Sequence, residues 1–128
     1  MEDTRITFET AKLAKERGFD GNCYAFYEKE FMRNDGKIIY TFGPQCNKNY
    51  LESEYKRHNN GKYLAPTQSL LAKWLREEHN IHLIAYKNIN IDGYDWCFIT
   101  TDGITNINSY KTYEEAYEIG LYQALKLI

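Results

Sequence analysis

Valine is absent from this 128-residue chain, and ten Leu, twelve Ile and six Phe together make about 22% of it. That lies just above the level below which chains tend to stay unfolded. Twelve Tyr and two Trp make good the shortage, and a net charge of −2 brings little self-repulsion, so disorder throughout is excluded. Cysteine is scarce too: Cys23, Cys46 and Cys97 are odd in number and widely spaced. This argues against a disulfide framework and for reduced thiols in a cytoplasmic protein. No apolar run approaches the ~20 residues of a membrane span. Met1-Glu2-Asp3 is acidic where a signal peptide would be basic. A basic excess is also missing. Residues 1–64 carry 11 basic and 10 acidic side chains, and residues 65–128 carry 5 and 8. A general nucleic-acid binder is therefore not the first expectation.

The length fits one α+β domain, residues 1–128. Phe8, Ala11 and Ala14 recur at helical spacing between Thr7 and Arg17, with Gly18 as a left-handed stop. Cys23–Tyr27 and Lys37–Phe42 read as strands joined through Asn34-Asp35-Gly36, a hairpin signal. A short helix is expected over Asn49–Arg57. Pro66 and Thr67 open a clear helix with Leu70, Leu71, Trp74 and Leu75 on its apolar face, and His79-Asn80 suits its end. Three strands follow: Ile81–Lys87, Tyr94–Thr101 and Ile104–Asn108. The middle one is apolar on both faces, which makes it central, and Asp102-Gly103 turns it onto the third. Thr112 and Glu115 form a capping box for a last helix whose apolar side is Tyr113, Ala116, Tyr117, Gly120, Ala124 and Leu127. The expected order is α-β-β-(α)-α-β-β-β-α, with about five antiparallel strands in one sheet and helices on one face.

Catalytic motifs are missing. No C-x2-C or HExxH spacing offers a metal site, and no Walker, dinucleotide or nucleophile-elbow motif occurs. No metal or cofactor is expected. Glu77, Glu78, Asp92 and Asp95 share a region with His79 and His82, but turn chemistry and strand alternation account for them. Residues 47–63 are the more suggestive stretch. There Lys48, Lys56, Arg57 and Lys62 alternate with Tyr50, Tyr55 and Tyr63, a mixture that suits single-stranded nucleic acid or a nucleotide. The plainer reading is a solvated helix and loop with inward tyrosines. In the last helix Ala116, Gly120 and Ala124 stand four apart. A mid-helix glycine costs about 1 kcal/mol relative to alanine, so close approach of a neighbour is the natural compensation. That neighbour is the chain's own sheet or, in the sharper reading, a second copy across a seam flanked by Tyr113 and Tyr117.

Three blocks, Phe8–Asp20, Pro66–Ile81 and Thr112–Leu121, resemble a group of small proteins of unassigned function encoded in prophages and mobile elements of low-GC gut bacteria. They cover about a third of the chain. The resemblance implies a setting and brings no activity or site with it. The expectation is a non-enzymatic binding or accessory protein that meets a protein or small ligand, with a homodimer as one form. The alternative is a nucleic-acid-binding or nuclease-like protein acting through residues 47–63.

Overall fold

The computed structural model describes residues 4–29, 35–40, 47, 51, 61–90, 92–110 and 112–128, the side chains of 105–110 excepted. Among them are three helices and two antiparallel sheets of three strands each, an α+β architecture. The chain divides into two compact units, Met1–Thr67 and Gln68–Ile128. One sheet of about five strands is thus corrected to two sheets of three. The strand that sequence reasoning missed, Lys62–Leu64, has three residues, too few for an alternating pattern to stand out.

In the first unit, α1 (Phe8–Glu16) begins where the Thr7 hydroxyl accepts the Thr10 N–H at 3.4 Å. It ends before Gly18, whose φ of +87° disfavours any side chain. β1 (Ala25–Lys29) is the central strand, with β2 (Gly36–Tyr40) and β3 (Lys62–Leu64) antiparallel on either side. Lys29 lies opposite Gly36, and Gly36 begins a strand. Packing needs that glycine: a Cβ there would lie 2.5 Å from Cδ2 of Phe8. The Phe8 ring meets Tyr27 and Tyr63 edge-on, with centroids 5.6 and 5.4 Å away, and α1 closes onto the sheet through it. The helix expected over Asn49–Arg57 lies outside the described residues except at Leu51. That residue is helical and buried, and its N–H donates to the Asn47 carbonyl at 3.1 Å.

The second unit runs α2 (Gln68–His79), β4 (His82–Asn88), β5 (Gly93–Thr100), β6 (Gly103–Tyr110) and α3 (Tyr113–Leu125). Asn80, at φ +53°, ends α2. The three strands form a meander with β5 at its centre. Gly103, at φ +128°, makes the tight β5–β6 turn, where the Asp102 N–H donates to Thr100 Oγ1 at 3.2 Å. The Thr112 hydroxyl caps α3 by accepting the Glu115 N–H at 3.1 Å. α3 lies across β4 and β5, and α2 packs on α3 and β4. Leu75, Trp96, Leu121 and Leu125 are wholly buried in this core. The apolar side of α3 is therefore corrected: Leu121 and Leu125 point inward with Ala116, Gly120 and Ala124, while Tyr113 and Leu127 are exposed.

Candidate functional site

The small-residue stripe of α3 faces the chain's own sheet. Ala116, Gly120 and Ala124 are buried, and a Cβ on Gly120 would lie 2.6 Å from Leu83 Cδ1 and 3.3 Å from Trp96 Cδ2. The close neighbour that the glycine implied is thus β4 and β5. As a dimer seam the stripe is corrected, because the sheet already occupies it. Tyr113 stays at the surface, stacked on Tyr117 at 5.6 Å and edge-on to Tyr94 at 6.0 Å.

Of the basic and aromatic candidates in residues 47–63, Lys48, Tyr50, Tyr55, Lys56 and Arg57 lie outside the described residues. Lys62 and Tyr63 are neighbours on β3, so their side chains project from opposite faces of the sheet. The Lys62 side chain is 8% exposed, and its ammonium lies 3.7 Å from Glu28 Oε1. A cation so buried and paired is not offered to a phosphate. Tyr63 faces α1, where the Lys15 ammonium sits 5.0 Å from its ring centroid and donates to the Lys62 carbonyl at 3.0 Å. Lys12 lies over Phe8 at 5.5 Å. The structure therefore brings Tyr63 together with Lys15 of α1, and turns the Lys62 side chain away from it towards Glu28.

The acidic and imidazole groups of the second unit do not converge. His79 packs edge-on against Trp74 at 4.6 Å, and a ring nitrogen of His82 shares a hydrogen bond with Asn80 Oδ1 at 3.1 Å. Asp92 pairs with Lys87 at 3.4 Å, and the Asn88 amide donates to Asp95 Oδ2 at 2.7 Å. Glu77 lies 4.0 Å from Lys73 in an exposed pair one helical turn apart, a contact worth little in water. Among the described residues no group of three or more His, Cys, Asp or Glu is placed to hold a metal ion.

A different surface stands out. The β4–β5–β6 sheet turns Leu83, Trp96 and Phe98 towards the helices and a second apolar set the other way. Ile84 is paired with Cys97, and Ile99 lies between His82 and Ile104. Ile84 is 45% exposed, Ile99 38% and Ile104 65%, and Tyr86 on the same face is 40% exposed. Cys97, half-buried, is at the middle of this open face. A contiguous exposed apolar area of this kind marks an interaction site more often than chance. Cys97 and Ile99 were legible as a second apolar face of the central strand. Ile84, Tyr86 and Ile104 were missed, although β4 carries apolar residues on both of its faces, which is the signal that would have found them.

No family model, curated protein or solved structure matches the chain. No helix among the described residues is long and apolar enough to cross a membrane.

Proposed function

We propose that this chain is a non-enzymatic binding protein that acts on a protein partner through the open face of the β4–β5–β6 sheet, in the mobile-element setting that the three sequence blocks imply. The exposed row of Ile84, Ile99 and Ile104 carries the reading, because isoleucines held out by a rigid sheet gain only when a partner removes them from water. Photo-crosslinking in the host tests it. A benzoyl-phenylalanine at position 104 yields adducts of discrete mass, whereas the same group at exposed Lys73 on α2 yields none. Equal patterns from both positions, or no adduct from 104, overturn it.

A second reading, single-stranded nucleic-acid binding through residues 47–63, draws support from the two lysines of α1 that lie over Phe8 and Tyr63. It requires oligonucleotide binding that weakens steeply as salt rises. No binding at low salt excludes it.

A further inference from the structure

We propose that the outer edge of β2 takes an extended acidic peptide as a fourth, antiparallel strand of the first sheet, with a carboxylate of the peptide opposite Lys37. The site belongs to the first unit and is independent of the β4–β5–β6 face.

Hydrogen-bond direction is the first argument. The Ala65 N–H donates to the Ala25 carbonyl at 3.0 Å, and the Lys29 N–H to the Gly61 carbonyl at 2.7 Å. Alternate residues of β1 therefore turn their main-chain groups towards β3, and Phe26 and Glu28 between them turn theirs towards β2. The partners of those two on β2 are Ile39 and Lys37. Gly36, Ile38 and Tyr40 are left with N–H and C=O groups directed away from the sheet, and no described residue bonds them. Such an edge is a template for a further strand.

The opposite edge of the sheet is closed. The Lys62 carbonyl, which points outward from β3, accepts the Lys15 ammonium at 3.0 Å. Further along, Pro66 has no N–H, and its carbonyl accepts the Ile6 N–H at 3.1 Å. Strand addition to the first sheet is thereby directed to β2.

Charge names the partner. Lys62, Glu28 and Lys37 are in register across β3, β1 and β2, a row of alternating sign on one face. Glu28 is paired with Lys62 at 3.7 Å. Lys37 is exposed and enters no ion pair among the described residues. Its main-chain groups bond inward to β1, so the position facing it on an added strand is a non-hydrogen-bonded one. There the Cα atoms approach to about 4.5 Å and the side chains are nearest. A carboxylate at that position continues the alternation, and opposite charges across strands favour pairing. Ile39, half-buried on the same face, suits an apolar side chain two residues earlier in the added strand.

Amide exchange and peptide titration, both read by NMR, test this. In the chain alone the Ile38 amide is expected to exchange at least tenfold faster than those of Lys37 and Ile39. The probe is the blocked peptide Thr-Thr-Ile-Thr-Glu-Thr-Thr, added up to about 2 mM. It is expected to slow exchange at Ile38 and to shift the Gly36, Ile38 and Tyr40 amides more than those of Lys37 and Ile39. Lysine in place of its glutamate is expected to weaken binding about fivefold, and Lys37→Glu to reverse the preference. A protected Ile38 amide in the chain alone, no shift with either peptide, shifts without alternation along β2, or equal affinity for the two peptides overturns the proposal. Should Lys37→Glu fail to fold, the two peptides on the parent chain decide.

Discussion

The two sheets solve the same packing problem with the parts exchanged. In the first unit the glycine is on the sheet and the ring on the helix: Gly36 gives way to Phe8 of α1. In the second unit the glycine is on the helix and the ring on the sheet: Gly120 of α3 gives way to Leu83 and Trp96. A chain without valine has fewer mid-sized side chains to grade the gap between helix and sheet, and pairing the largest residues with the smallest closes it. The far faces differ more. On the first sheet Phe26, Leu64 and Lys62 are all buried, and the one cation among them is paired with Glu28. On the second, the far face keeps its isoleucines in water. The first sheet holds buried side chains on both faces, and the second keeps one face with its isoleucines exposed.

The largest test of that contrast lies on two adjacent residues of β4. Leu83 is buried under α3 and Ile84 is on the open face. Leu83→Ala is expected to cost about 3 kcal/mol, the transfer of a buried side chain plus the cavity left behind. Ile84→Ala is expected to cost about 1 kcal/mol, since Ile84 is 45% exposed and only part of its side-chain area is removed from water within one chain. Both tryptophans, Trp74 and Trp96, belong to the second unit, so urea unfolding followed by tryptophan fluorescence reads this unit directly. Equal losses at the two positions would mean that the open face is covered in the folded monomer.

Gly36→Ala comes next. Its added carbon would lie 2.5 and 2.6 Å from Cδ2 and Cε2 of Phe8, atoms of a rigid ring already wedged between Tyr27 and Tyr63. Overpacking of this kind is expected to cost about 2 kcal/mol, seen as a lower urea midpoint by far-ultraviolet circular dichroism. Phe8→Leu in the same chain is expected to recover part of the loss, because the pair is in direct contact and the two effects do not add.

Local chemistry explains which parts of this could be read without coordinates. Thr7, Thr112, Gly18 and Asn80 act within one turn of themselves, so the helix limits followed from residue type. The meander of β4, β5 and β6 followed from alternation and the Asp102-Gly103 turn. Partition of the strands between two sheets did not follow, because β3 reaches β1 across more than thirty residues and has three residues of its own. The binding candidates show the same limit. Lys62 and Tyr63 look alike as members of a basic, aromatic stretch, yet the pleat sends one towards Glu28 and the other towards Lys15. Ile84 and Ile99 come together because β4 and β5 are in register, a pairing that neither segment specifies alone.

Gly120→Ala gives the smallest effect and the finest distinction between the units. Its Cβ would come within 2.6 Å of Leu83 Cδ1, a nearer approach than real contacts allow. That atom, however, ends a flexible side chain, and the Trp96 ring at 3.3 Å need give by only a few tenths of an ångström, whereas Phe8 presents a ring to Gly36 at 2.5 Å. Leu83 can turn its methyl groups at a cost of order 0.5–1.5 kcal/mol. Against this, alanine gains about 1 kcal/mol over glycine within a helix. The two terms nearly cancel, and the urea midpoint is expected to move by less than the equivalent of about 0.5 kcal/mol in either direction. Gly120→Ala and Gly36→Ala add the same carbon at nearly the same clash distance. A difference of more than about 1 kcal/mol between them therefore measures how far each neighbour can yield, and equal losses would show that Leu83 is held as rigidly as the Phe8 ring.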